Sequence, residues 1–320
     1  MHDPGPCPFR EHTLHSTEIR YFLAVASCGS LSAASQQLFV AVSAISRQIQ
    51  RLETQVGCPL FERHARGMVL NDAGKIFENH VRRSLLDMEH ALAEIKGLTA
   101  VRRTALRVAC TDGAAFSLLP LLCSRFRQQR PGVSFHLNVV DTQQIAALLS
   151  RGECDVALQF SLFAEPAVDV AGSWPAPVLL VMQRDHPLAS RQIRLSDLQA
   201  YPLALPHTGT TVRQLFDLAC QMGGTFLEPV LTCNNFSTLH TFLMQTPLAV
   251  TICSQFSVMY PQVEQELILK SPGIEQMSQR SLQVQTASGR KPTQAQTLFV
   301  EFACRELQRQ DRQIREAFAL

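Results

Sequence analysis

Between residues 41 and 56 the chain carries Ser43, Arg47, Gln50 and Arg51, which at 100° per residue share one face of a helix, with Ser46 on its flank. Hydroxyls, an amide and guanidinium forks match the acceptors on base edges and phosphates, so this face can read a DNA duplex. Its opposite side carries Ile45, Ile49, Leu52 and Val56, an apolar stripe that would seat the helix on a core. The solvated outer face of a small bundle has the same pattern, and this helix alone leaves both readings open.

A second set of residues suits a small ligand. Thr111-Asp112-Gly113, the stretch 207–211 and Asn234-Asn235-Phe236-Ser237 each follow a short apolar run and open a helical pattern, the second leading into the helix that holds Arg213. Hydroxyls and free backbone N–H groups at helix N-termini suit an anion or carboxylate. Each segment alone is equally an N-cap, with Asp112, Thr210 and Ser237 serving backbone donors. Convergence of all three on one cleft favours binding, through Thr111, Asp112, Thr208, Thr210 and Asn235. Gln159 and Phe160, ending the run Val156–Phe160, are further cleft candidates. No GxSxG, HExxH, P-loop or GxGxxG occurs, and no His pair sits at ligand spacing beside a carboxylate on a shared helix face. An enzyme, a metal site or a cofactor is therefore not expected.

These groups need elements to hold them. The 320 residues, 46% hydrophobic and 18% charged, are enough for about two packed domains. Residues 1–15 form an extension without periodicity. Ser16 is placed to cap a first helix with Ile19, Phe22, Leu23 and Ala26 inward, ended by Gly29 in a left-handed turn. Ser30 is placed to cap a second, with Leu31, Ala34 and Leu38 inward; Gly57 and Pro59 stop the third. The stretch 60–70 then reads as two very short strands around a basic turn. Residues 40–66 hold four Arg against two Glu, although the first 100 residues are neutral, with ten Lys/Arg and ten Asp/Glu. A base-reading helix beside a basic hairpin is a winged helix-turn-helix. Asn71 can cap a helix over 72–96, ~38 Å long at 1.5 Å per residue. Its apolar positions Val81, Leu85, Met88, Leu92 and Ile95 are spaced 4, 3, 4, 3, a heptad seam suited to a dimer or to packing on its own second domain.

From Ala105 onward short strands alternate with amphipathic helices: Ala105–Ala109 then Phe116–Gln128, Val133–Val140 then Ile145–Ser150, then Val156–Phe160. This is an α/β texture with a mostly parallel sheet. The longest apolar run, Pro175–Met182, is far short of the roughly 20 residues of a bilayer span. The N-terminus lacks the basic and apolar regions of a signal peptide. Ten cysteines come no closer than thirteen positions and form no CxxC, as expected of buried thiols in a reduced cytoplasm.

Several stretches resemble, in order, the LysR-type transcriptional regulators. They are 20–26, Gly29-Ser30-Leu31-Ser32-Ala33-Ala34, Ala44-Ile45-Ser46-Arg47-Gln48-Ile49, Arg51-Leu52-Glu53, 57–63 and Leu70-Asn71-Asp72-Ala73-Gly74. A looser likeness continues through Leu118-Leu119-Pro120, Arg151-Gly152-Glu153-Cys154-Asp155-Val156 and His186-Pro187-Leu188-Ala189. The resemblance implies an N-terminal all-α winged helix-turn-helix domain at 16–71, a dimerising linker helix at 72–98, and a C-terminal effector domain at 105–320. That domain would be a two-lobed, periplasmic-binding-protein-like α/β fold, with one lobe at about 105–170 and 275–320 and the other at about 171–274. The DNA-facing set it implies is Ser32, Val42, Ser43, Ser46, Arg47, Arg51, Arg63 and Arg66. Family members usually open the reading helix Ser-Gln-Pro; this chain has Ala41-Val42-Ser43, and Val42 offers only apolar contact, for instance to a thymine methyl. The implied partners are a partly palindromic promoter duplex, a small-molecule effector such as an anion or carboxylate, RNA polymerase, and the chain itself as dimer or tetramer, with no membrane. A redox switch, as in peroxide-sensing members, is the alternative; Cys220 and Cys233 are its candidates, neither with a clear basic neighbour.

Overall fold

A computed structural model describes residues 16–64, 67–97, 104–163, 165, 168–258 and 266–318. The extension 1–15, Arg66 and the stretch 98–103 lie outside the described residues. The chain divides into two compact units between Ile95 and Lys96.

In the first unit, α1 (Thr17–Cys28), α2 (Leu31–Leu38) and α3 (Val42–Val56) precede a hairpin of β1 (Phe61–His64) and β2 (Gly67–Leu70), and α4 (Asp72–Gly97) follows. Gly29 ends α1 in the left-handed region, and the Ser30 hydroxyl accepts from the Ala33 N–H at 3.0 Å. Ser16 stands at the N-cap of α1, but its side chain makes no cap bond to the backbone. Phe22 anchors the core, its ring 5.3 Å from Phe61 and 5.1 Å from Phe77. Ile45, Ile49 and Leu52 are buried beneath α3, whereas Val56 is 39% exposed, because the helix ends there at Gly57. One Glu53 oxygen accepts from the N–H groups of Leu60 and Phe61, tying α3 to the hairpin.

The heptad seam divides along its length. Val81 is buried and Leu85 half-buried in the first unit's own core. Met88 is 40% exposed and Leu92 half-buried. The side chain of Ile95 is not among those described.

The second unit has two lobes. The first is a five-stranded sheet in the order β4 (Val133–Val139), β3 (Thr104–Cys110), β5 (Val156–Ser161), β12 (Ser281–Ala287), β6 (Val168–Pro175). β3 runs parallel to β4 and β5; β12 runs antiparallel to β5 and β6, so only half the pairings fit a parallel sheet. Its core is built on α6 (Leu118–Gln129) and α10 (Gln294–Phe318), where Phe126, Phe135, Phe299 and Phe302 pack together. Buried Asp155 takes both the Arg107 guanidinium and the Arg107 N–H at 2.8 Å, locking β5 beside β3. The helical run expected from Phe116 is split: α5 (Asp112–Ala115) ends before it, α6 starts at Leu118, and Phe116 packs in the other lobe's core.

The second lobe holds an antiparallel sheet of β10 (Thr251–Cys253), β7 (Leu179–Gln183) and β11 (Leu267–Lys270), plus a parallel pair, β8 (Ala204–Pro206) and β9 (Leu231–Cys233). The helices α8 (Thr211–Met222) and α9 (Phe236–Gln245) follow β8 and β9. The chain leaves the first sheet at Pro175 and returns at Ser281, a few residues later than about 170 and 275. Trp174 belongs to the first core, and Met277 still belongs to the second.

A Cβ on Gly74 would overlap the Leu60 carbonyl oxygen and press on Leu70, because the first turn of α4 lies against the hairpin. Helix propensity alone favours Ala over Gly by about 1 kcal/mol. Gly74→Ala should nevertheless lose about 1–3 kcal/mol through overpacking, read as a lower urea midpoint for the first unit's transition.

Candidate functional site

On the first unit, Ser32, Ser43, Arg47 and Arg63 are exposed, Val42 is also open, and Ser46 is half-buried. The Arg47 Nε donates to its own helix at the Ser43 carbonyl, 3.3 Å away, which leaves the rest of its fork outward. Arg51 is partly committed, 3.6 Å from the Glu18 carboxylate of α1. Sequence reading missed Phe39. It ends α2 in the left-handed region, uncommon for a bulky residue, and its ring is 94% exposed immediately before α3. The available signal was a large apolar residue in the three-residue turn Phe39-Val40-Ala41 between two helices, where a turn residue is not drawn into the helical stripe.

In the second unit a cleft of about 840 Å³ opens between the lobes, lined from β3–α5, β8–α8 and β9–α9. Thr111, Asp112, Thr210 and Asn235 line it, as does Phe160. Thr208 and Gln159 do not. Thr208 points to solvent, and Gln159, next to Phe160 on β5, faces the other side of the sheet and donates to Glu165 at 3.0 Å.

The lining residues differ in what they have left to offer. The Thr210 hydroxyl accepts from the Arg213 N–H at 3.4 Å and donates to the His207 carbonyl at 2.8 Å, so it works as a cap. Asn235 caps α9 through the Thr238 N–H at 3.1 Å. Asp112 reaches across the cleft: its carboxylate accepts from the Phe236 N–H at 2.6 Å and from the Asn235 amide at 3.1 Å. It therefore straps the first lobe to the N-terminus of α9 rather than standing free for a ligand. Burial pushes the Asp112 carboxyl above its ordinary range, and the Phe236 N–H opposes that rise. Phe116 lies beside the strap, its ring 5.4 Å from Phe236 and 5.1 Å from His240.

Two lining groups have unmet bonds. Among the described residues the buried Thr111 hydroxyl finds no partner, and neither does the Nη2 nitrogen of Arg280, a residue sequence reading did not single out. Arg280 directly precedes β12 and shares the parity of the alternating, buried Leu282 and Val284, so the period-2 pattern was the available signal, masked by the charge of the side chain.

Among the described residues no cluster of three His, Cys, Asp or Glu could hold a metal ion, and no helix is long and apolar enough to cross a membrane. Cys220 and Cys233 are both free thiols, and burial pushes Cys220 up to about 11, which disfavours the reactive thiolate. Asp185-His186-Pro187 is structural, with His186 buried and bonded to the Leu248 carbonyl and the Leu188 N–H.

Residues 16–75 match the family model "Bacterial regulatory helix-turn-helix protein, lysR family", and residues 100–308 match "LysR substrate binding domain". The regulator CbbR of Rhodospirillum rubrum is 32% identical over 230 residues, 72% of this chain and 76% of that protein. The activator CmpR of Synechocystis sp. is 29% identical over 206 residues, 63% of this chain and 66% of that protein. A full-length OxyR variant from Pseudomonas aeruginosa shares the fold with a TM-score of 0.62 at 18% identity, over 91% of this chain and 95% of that one. Full-length CbnR, solved with its target DNA, gives 0.58 at 20% identity, over 90% and 98%.

The Asp112 strap has a local readout. A carboxylate bond to a backbone N–H contributes about 1.5–3 kcal/mol. Asp112→Ala should speed hydrogen exchange at the Phe236 amide by about ten- to a hundredfold. The Thr238 amide, held by Asn235, should keep its protection; equal rates at Phe236 in both proteins would show that the strap does not form.

Proposed function

The chain belongs to the LysR family of DNA-binding transcriptional regulators, and on that premise we propose which residues read DNA, which pair two copies and where the effector sits. Residues 16–71 engage a partly palindromic promoter duplex, residues 72–98 join copies of the chain into a dimer or tetramer, and residues 105–320 respond to a small molecule. The observation that carries the DNA reading is the exposed polar face of α3, with Arg63 exposed on the adjoining hairpin. Ser43, Ser46 and Arg47 read base edges. Ser32, Arg51, Arg63 and, by its place in the basic turn, Arg66 hold phosphates or the minor groove. Val42 and Phe39 add apolar contact where most such helices begin with polar side chains. A regulator that acts on promoter DNA would operate in the cytoplasm, with RNA polymerase as a partner.

The effector occupies the interlobe cleft, where it favours one lobe arrangement over another. The seam of α4 is the dimer contact, and its outer part, Met88 and Leu92, carries it, since Val81 and Leu85 are used in the first unit's own core.

Arg47→Ala should cost about 1–3 kcal/mol on a selected promoter fragment and relax the preferred sequence. Arg63→Ala should weaken all sequences alike and lower the salt slope by about one. Quantitative mobility shifts across a salt series separate the two, and an Arg47→Ala protein with unaltered affinity and preference would remove α3 as the reader. For assembly, Met88→Asp combined with Leu92→Asp sets two charges in an apolar contact and should reduce the sedimenting mass to that of a smaller species. An unchanged mass would mean that the seam is not the contact.

A further inference from the structure

Building on the cleft as the effector site, we propose that it is an oxyanion receptor in which the carboxylate or phosphate of the ligand is held by the guanidinium of Arg280. Arg280 lines the cleft and is 5% exposed. Its Nε donates to the Ala176 carbonyl at 3.0 Å, and Nη1 reaches the Thr211 hydroxyl at 3.5 Å. Nη2 is buried and has no hydrogen-bond partner among the described residues. The guanidinium carbon stands 4.5 Å over the Phe160 ring, and among the described residues no carboxylate pairs with this arginine. A buried cation without a counterion is costly, and an anion is the ligand chemistry that relieves it. Burial pushes the Arg280 guanidinium down to about 9, which leaves it charged at neutral pH.

The surroundings point the same way. Thr211 opens the twelve-residue helix α8, whose N-terminal dipole favours negative charge. The buried Thr111 hydroxyl supplies a further unused donor. A Cβ on Gly113 would crowd the Phe160 ring at 3.0 Å and the Ser257 hydroxyl at 3.2 Å, so a side chain there would intrude on this end of the cleft. The N-terminus of α9 is already served by the Asp112 carboxylate, which leaves Arg280 as the unsatisfied anion site. Arg280 and Ala176 also lie on the two chain crossings between the lobes, so an anion bound there acts on the joint itself.

The test measures the second unit's melting temperature in the full chain, in Arg280→Met and in Arg280→Lys, at constant ionic strength. The probes are inorganic phosphate, succinate and the neutral succinamide. At about a hundredfold excess over Kd, phosphate or succinate should raise the wild-type value saturably by about 5–10 °C. Each shift is scored against the same protein without probe, so a change in basal stability does not enter. Arg280→Met should lose the shift and Arg280→Lys retain part of it; whichever anion acts distinguishes phosphate from carboxylate ligands. Equal shifts in Arg280→Met, an equal shift with succinamide, or no shift with either anion at 50 mM (roughly a hundredfold above a sub-millimolar Kd) would each overturn the proposal. Sequence-specific DNA binding of the wild-type chain is measured alongside. Specific binding without an anion response removes the receptor alone, and an anion response without specific binding removes the DNA reading alone.

Discussion

The second unit turns on a mutual clasp where its two crossings meet. The Ala176 N–H donates to the Arg280 carbonyl at 2.8 Å, and the Arg280 Nε donates back to the Ala176 carbonyl at 3.0 Å. One crossing is thereby fastened to the other by backbone and side chain together. The clasp lies at the joint between the lobes whose facing elements line the cleft, the first lobe's β3–α5 turn on one side and the openings of α8 and α9 on the other. The same geometry forces a charged side chain into the interior, because the donor that closes the clasp is a guanidinium. Its remaining nitrogen inherits the problem of any buried polar group, which must find a partner or carry the cost of desolvation.

Two anion-favouring positions in the cleft are thus resolved differently. At α9 the chain supplies its own carboxylate, and Asp112 joins the lobes as a cap placed from the opposite side. At Arg280 and the start of α8 no carboxylate arrives from the described residues. A carboxylate strap between the lobes and a guanidinium at their joint are contacts that would differ between two lobe arrangements, and a ligand shifts such an equilibrium only through contacts of that kind.

The first unit solves a different problem. It is formally neutral across the N-terminal hundred residues, so its attraction to a polyanion cannot come from net charge and has to come from placement. The core does that placing. Phe22 packs tilted against Phe61 and edge-on to Phe77, Glu53 ties α3 to the hairpin, and Gly74 lets α4 approach closely enough to complete the packing. With Ile45, Ile49 and Leu52 held inward, the helical period leaves Ser43 and Arg47 outward. Glu18 partly offsets Arg51, which concentrates the free positive charge on Arg47 and the hairpin.

What the sequence determined by itself is whatever depends on local periodicity and caps. The three short helices, the left-handed stop at Gly29, the caps at Ser30 and Thr210, the hairpin and the outward face of α3 all follow from neighbours a few residues apart, whereas the cap of α9 is Asn235 and not Ser237, which lies inside the helix. The position of the cleft was legible too, because strand ends that open helices are a local pattern. Tertiary structure alone decided how those polar groups were used. Asp112 and Phe236 are 124 positions apart, and Ala176 and Arg280 are 104, so no local pattern announces either contact. It also turned Gln159 to the far side of its strand, left Thr208 in solvent and drew Val81 and Leu85 out of the seam into a core. Secondary structure is set by interactions that repeat along the chain, whereas the burial and pairing of a single side chain are set by segments that meet only once the fold has closed.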